Sequence, residues 1–274
     1  MKVVVNVSGG AGSAVALMRC VEAGHDVDAV FADTRSETED TYRFLSELEK
    51  RAGVPIECLS DGRDIWDVFM QHRILRVMKA GGACKASVEL KQLPLAKYVK
   101  DRYTPDECVI ATGLDWMEPE RQERLAKRLA PYDTMFPLND APRLSRCEII
   151  AKLEEYGLPT PEVYAKGWPH NNCGFYGCIM AGQRQWAGLL YDYPEAFGRS
   201  MNKENEFREK VNDNFAILRD RRGGESKPYP LKVLMHDVDT GRTFSDAWRS
   251  MCNCMGGADD DQQNLFDMLE GCDA

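Results

Sequence analysis

Hydrophobic positions in the first 140 residues come as short apolar runs separated by longer stretches with helical spacing. The run Val3-Val4-Val5-Asn6-Val7 is apolar on both parities, as a strand covered on both faces must be, so 2–7 reads as a buried strand. Residues 13–23 follow as an apolar helix stopped near Gly24, and 26–32 as a second strand ending at Asp33-Thr34. Over 37–52, Tyr42, Leu45 and Leu48 recur on one helical face. The pattern continues with a strand over 55–59, helices over 65–78 and 88–102, and a short strand over 108–112 closed by Gly113. Strands alternating with helices in this way predict an α/β fold with a doubly wound parallel sheet.

Past residue 140 the rhythm changes, so we expect a nucleotide-binding domain over 1–140 and a helical, cysteine-containing region over 141–274. A helix over 144–156 is broken by Gly157-Leu158-Pro159-Thr160-Pro161, and a Gly/Cys/aromatic-rich segment spans 168–182. Helical residues then run to about 219, a loop covers 221–226, and 231–236 is expected as a strand or extended segment before a turn at Asp239-Thr240-Gly241. An acidic linker, Asp259-Asp260-Asp261, leads into a short apolar helix. There is no internal repeat.

Composition narrows the class. With 274 residues, 43% hydrophobic and 29% charged, the chain is ordinary globular protein. A net charge of −9 argues against a basic coat for nucleic acid, although the locally basic stretch from Arg121 to Arg128 leaves a local groove open. No apolar run of about 18 residues exists and the N-terminus reads as a strand, so neither a membrane span nor a signal peptide is expected and the reading is cytoplasmic. Ten cysteines in such a chain are expected as thiols or metal ligands. Cys20, Cys58, Cys108 and Cys147 fall in apolar patterns and are expected in the core, whereas Cys84, Cys173, Cys178, Cys252, Cys254 and Cys272 fall in loop-like or Gly-rich surroundings.

The first strand-helix junction carries Ser8-Gly9-Gly10-Ala11-Gly12-Ser13. Glycines let backbone N–H groups converge on an anion, and the following helix N-terminus adds partial positive charge. Ser8 and Ser13 add hydroxyls that can donate to a phosphate. No Gly-Lys-Ser/Thr follows, so this is not a Walker loop, and the glycine spacing is not that of a dinucleotide fingerprint. The bland alternative is a turn that only lets the helix pack tightly on its strand.

This loop resembles the PP-loop of the adenine-nucleotide alpha-hydrolase superfamily. Further ordered matches resemble its phosphoadenosine-phosphosulfate (PAPS) reductase-like branch, including versions seen in phage genomes. They are Asp33-Thr34 with Glu39-Asp40-Thr41-Tyr42, Cys84-x-x-x-x-Glu89-Leu90-Lys91-x-x-Pro94, Glu118-Pro119-Glu120-Arg121, and Cys178-Ile179-x-Ala181-Gly182 with Trp186 and Tyr193-Pro194-Glu195-Ala196-Phe197. Together they cover roughly residues 1–200. The resemblance implies ATP or another adenine nucleotide as ligand, with Mg²⁺ a possible companion. It places Asp33 and Thr34 near the adenosine, Thr112 and Gly113 on the other wall of the phosphate pocket, and Arg121 and Arg124 within reach of phosphate or sulfate oxygens. Read from the residues alone, those arginines equally make a solvated helix face carrying Glu–Arg pairs. One departure is Gly12, where many PP-loops carry an Asp associated with ATP cleavage.

Two close cysteine pairs, Cys173/Cys178 and Cys252/Cys254, have the makings of a tetrahedral Zn²⁺ site or an iron–sulfur cluster. Cys84 begins the expected helix beside Lys85, where the helix dipole and the ammonium favour thiolate, and it is the candidate catalytic cysteine alongside Arg121. The preferred set is a [4Fe–4S] cluster on Cys84, Cys173, Cys178 and one of Cys252 or Cys254; the alternative is Zn²⁺ on Cys173, Cys178, Cys252 and Cys254. Cys272, near the C-terminus, is read as an incidental thiol, the alternative being the tail nucleophile of PAPS reductases with a thiol-reductant partner. The implied functions are sulfur transfer or adenylyl-sulfate-type chemistry, ATP-dependent adenylation or thiolation of a nucleic-acid base, or nucleotide binding without catalysis. A nucleic-acid partner and a homodimer are left open.

Overall fold

A computed structural model of the protein describes residues 1–75, 84–168, 171, 178–222 and 224–244. Cys173, Cys252, Cys254, Cys272 and His170, and the expected C-terminal helix, lie outside the described residues.

Five strands, β1 (Lys2–Val7), β2 (Asp26–Ala32), β3 (Ile56–Leu59), β4 (Cys108–Thr112) and β5 (Asp133–Met135), form one parallel sheet in the order β3-β2-β1-β4-β5. The chain leaves β1 toward β2 and β3 on one side and later returns to β4 and β5 on the other. The carboxyl ends of β1 and β4 therefore flank a switch point, where an open parallel sheet offers a crevice. In register, Asn6 lies opposite Val30 on one side and Thr112 on the other.

Each face of the sheet has its own core. Val3, Val5 and Val7 of β1 and Val109 and Ala111 of β4 pack with α1 (Ala11–Glu22) and α2 (Glu39–Ala52), joined by α7 (Arg146–Glu155). Val4, Val30, Ala32, Cys108 and Ile110 pack on the other face with α5 (Leu93–Arg102) and α6 (Pro119–Leu129). Strand parity thus turns Asn6 and Thr112 toward the α5 side. Local signals set the ends: Thr38 caps α2 through the Thr41 amide, Gly53 closes it at φ +66°, and α7 opens with a capping box of Ser145 and Glu148.

A third core joins α3 (Ile65–His72) to the later helices α9 (Gln183–Asp192), α10 (Pro194–Lys210) and α11 (Leu231–Asp239), with the short α8 (Glu162–Ala165) between it and the sheet. Its keystone is Glu204, fully buried, whose Oε1 accepts the Ile217 amide at 2.8 Å and whose Oε2 accepts the Leu231 amide at 2.6 Å. Burial pushes the Glu204 carboxyl up, opposed by the two amide hydrogen bonds. No helix among the described residues is long and apolar enough to cross a membrane.

Several expectations need correction. Residues 231–236 are helical, not extended: the carboxylate of Glu204 receives the first amide of α11, and Leu231 and Leu234 bury one face. The helix expected to run to about 219 ends at Lys210, and Leu218–Asp220 forms β6, paired antiparallel with β7 (Lys227–Tyr229) across the 221–226 loop. The helix expected over 65–78 ends at His72, where Arg73 turns to φ +53°. The helix expected from 88 starts earlier, as α4 (Lys85–Ser87), and passes through a π-helical turn, Val88–Gln92, before α5. Cys58 and Cys147 are exposed rather than in the core, while Cys20 and Cys108 are buried and their thiols are pushed up to about 11 by burial.

Candidate nucleotide-binding site

The 8–13 loop leaves β1 and enters α1, with Gly9 at φ +75° making a turn that side-chain-bearing residues rarely adopt. Ser13 ties the loop into a knot. Its Oγ accepts from the Ser8 amide at 3.0 Å and the Ser8 hydroxyl at 3.1 Å, and donates to the Gly10 carbonyl at 2.9 Å. In this structure both serine hydroxyls shape the loop. What remains for an anion is backbone: the first-turn amides of a helix have no intrahelical acceptor, and those of Gly12 and Ser13 have none among the described residues. The Ala11 amide donates to Tyr164 Oη at 3.2 Å.

The loop lies hard against the end of β4. A Cβ on Gly12 would stand 2.9 Å from the Gly113 carbonyl, and one on Gly113 would stand 2.5 Å from the Ser13 amide nitrogen. These two glycines bring the β1 and β4 ends together over the switch point. Their contact also accounts for Gly12 physically: an aspartate there would collide with backbone.

Above this junction opens a cavity of about 500 Å³, within the size range of small-molecule sites. It is lined by Ser8, Gly10, Ala11, Gly12 and Ser13 of the loop, by Thr112 and Gly113, and by Arg121, so the structure brings these expected residues together, while Gly9 does not line it. Lys91, Arg146, Asp115, Glu118, Tyr164 and Asn6 line it as well. Arg121 pairs with Glu118 at the rim, while Arg124 stands 3.8 Å from Glu120 on the same helix. Lys91 Nζ lies 3.1 Å from the buried Glu37, whose Oε1 also accepts from Thr34 Oγ1 at 2.9 Å. Thr34 thus reaches the cavity through Glu37 and Lys91 and does not line it. Asp33 is turned aside too, accepting from Tyr42 Oη at 2.7 Å.

From beyond residue 140, Tyr164 and Asn171 clamp the loop. Asn171 Nδ2 donates to the Gly9 carbonyl at 2.8 Å while its Oδ1 accepts from Thr41 at 3.2 Å. Sequence reasoning missed Asn6, Lys91, Tyr164 and Asn171. A signal existed for Asn6, the single polar residue inside the β1 valine run, and for Lys91 as part of a quoted motif.

No cysteine among the described residues lines this cavity. Cys84 caps α4 without lining the cavity and packs against the third core, which also holds Ile179, the neighbour of the half-buried Cys178. Lys85, expected beside the thiol, directs its Nζ to Glu89 at 3.1 Å. Glu89 also meets Arg63 at 2.9 Å and His72 at 2.6 Å, contacts that tie α3 to the turn after Cys84. Burial raises the Glu89 carboxyl, but Lys85 and Arg63 outweigh it and leave the group below its ordinary range. Among the described residues, no three His, Cys, Asp or Glu side chains group as metal ligands.

Residues 2–102 match the model of the phosphoadenosine phosphosulfate reductase domain family, and the matched stretch contains the loop, Lys91 and the first three strands. The likeness to that domain family covers just over a third of the chain. The chain is similar to an uncharacterized protein of Methanocaldococcus jannaschii, 25% identical over 215 residues, which cover 77% of this chain and 43% of that protein. The match therefore covers less than half the length of the archaeal relative. The chain is also similar to an uncharacterized nin region protein of Escherichia phage lambda, 28% identical over 227 residues that cover 73% of each chain.

Proposed function

We propose that this PAPS-reductase-like protein binds an adenine nucleotide with its phosphates on the 8–13 loop and acts in sulfur transfer or adenylyl-sulfate-type chemistry. The observation that carries this reading is the coincidence of unpaired first-turn amides with a nucleotide-sized cavity at the β1/β4 switch point. Arg121, Arg146 and Lys91 bring positive charge to the cavity walls and suit it to phosphate or sulfate oxygens. Tyr164 and Asn171 hold the loop in shape, so binding need not first order it.

A cysteine-held metal centre, iron–sulfur or zinc, belongs to the same reading and would draw on Cys84 and Cys178 together with Cys173, Cys252 and Cys254. The two described thiols fit such a group to this extent: both are half-buried, and Cys84 packs on the core that holds Ile179 next to Cys178. Such a centre would supply a sulfur ligand environment or redox capacity. A thiol reductant is the matching partner class. Binding without ATP cleavage is the second reading, favoured by the 2.9 Å gap that keeps an acidic side chain off position 12.

Calorimetric titration with ATP, PAPS and pyrophosphate tests the proposal. Wild type should bind all three through the loop, and Gly10→Asp should abolish binding by placing a carboxylate where phosphate must lie. Unchanged affinity in that variant would refute the reading. Release of pyrophosphate from ATP separates catalysis from binding alone.

A further inference from the structure

The cavity lining joins two different surfaces. One is the 8–13 loop, with its first-turn amides. The other, the floor, lies under the carboxyl edge of β2, β1 and β4, where strand parity turns Ala32, Asn6 and Thr112 toward α5. Leu95 and Leu114 close it with apolar surface. Asn6 is 9% exposed and Thr112 4%, and neither Asn6 Oδ1 nor Thr112 Oγ1 has a hydrogen-bond partner among the described residues. The two residues are register partners on adjacent strands, so their side chains stand about 5 Å apart.

A buried polar atom without a partner destabilises a fold. Two of them side by side on a cavity floor are best accounted for by a ligand that completes them. Asn6 Oδ1 accepts and does not donate, so the ligand must bring an N–H or O–H to it. An ionised phosphate oxygen offers neither. Flanking Ala32, Leu95 and Leu114 favour a flat ring over a sugar.

We propose that Asn6 and Thr112 read the amino-bearing edge of the nucleobase. The exocyclic amine donates to Asn6 Oδ1, the Thr112 hydroxyl donates to the adjacent ring nitrogen, and the apolar walls hold the ring. The assignment rests on the 8–13 loop being the phosphate site, because that fixes which end of the nucleotide reaches the floor.

The test compares AMP with purine riboside 5′-monophosphate, which lacks only the amine, and uses pyrophosphate as the base-free control. Wild type should prefer AMP by about tenfold, the scale of one well-made hydrogen bond whose loss strands its partner. Asn6→Ala should bring that ratio close to one by weakening AMP, whereas Thr112→Val should weaken both nucleotides and leave the ratio, with pyrophosphate affinity unchanged in each variant. Thr112→Ser, which keeps the hydroxyl, should retain the affinity for both nucleotides. A wild type that does not distinguish the two nucleotides, an Asn6→Ala variant that keeps the ratio, or a Thr112→Val variant that keeps both affinities would overturn the assignment while leaving the phosphate site intact. Selectivity that follows the 2′-hydroxyl instead would also overturn it, in favour of the sugar. Failure of wild type to bind pyrophosphate would remove the phosphate site, and the base assignment with it.

Discussion

Two buried polar groups, one in each half of the molecule, show how differently the halves use polarity. In the helical half, Glu204 is fully buried and both its oxygens are taken by backbone amides, joining α10 to the starts of two other segments. In the sheet half, Asn6 and Thr112 are nearly as buried, yet each keeps an oxygen without a partner and each lines a cavity. A satisfied buried group belongs to the architecture. An unsatisfied one at a cavity points to a ligand. Removing the first should cost stability, and removing the second should cost binding.

The largest effect is expected at Glu204. Glu204→Leu strands two buried amides and should lower unfolding free energy by about 2–6 kcal/mol, at about 1–3 for each donor, as read by urea denaturation. Glu204→Gln isolates the charge. Because burial raises the folded carboxyl, the native state holds its proton more tightly than the unfolded chain. Wild-type stability therefore falls as pH rises from the unfolded value of about 4.3 through the raised folded one, and the glutamine variant should not show that fall.

The next effect is steric and lies at the junction of the loop with β4. Gly113→Ala places a methyl 2.5 Å from the Ser13 nitrogen, and overpacking of this kind should cost about 1–3 kcal/mol together with nucleotide affinity. Tyr164→Phe removes the acceptor of the Ala11 amide and should cost about 1 kcal/mol in the same denaturation series. The smallest change sharpens the comparison most. Thr112→Val swaps an unpaired hydroxyl for a methyl of similar shape and should shift stability by less than about 0.5 kcal/mol, while AMP binding weakens. A large loss of stability there would erase the distinction between the halves.

The same contrast explains what was legible in the sequence. The strands over 2–7, 26–32 and 108–112 match their observed bounds because strands buried on both faces are continuous apolar runs. The phosphate loop was legible because its glycines are local. Helix α11 was not, since its first amide is received by a carboxylate 27 residues earlier in the chain. Lys91 was quoted only as part of a motif, because its place on the cavity depends on the π-helical turn and on Glu37 from another loop. The exposed Cys58 and Cys147 misled for a similar reason, as apolar neighbours in sequence do not fix which face a residue takes. Tyr164 and Asn171 meet the 8–13 loop across more than 150 residues, and no local pattern announces such a contact.

The central claim is that the first-turn amides of α1 hold phosphate. Amide nuclear magnetic resonance of ¹⁵N-labelled protein titrated with pyrophosphate tests it at the atoms concerned. The account predicts saturable shifts that are largest at Gly10, Gly12 and Ser13, with those of the helical half, such as Ile217 and Leu231, unmoved. Saturable shifts elsewhere, with the 8–13 amides unchanged, would contradict it.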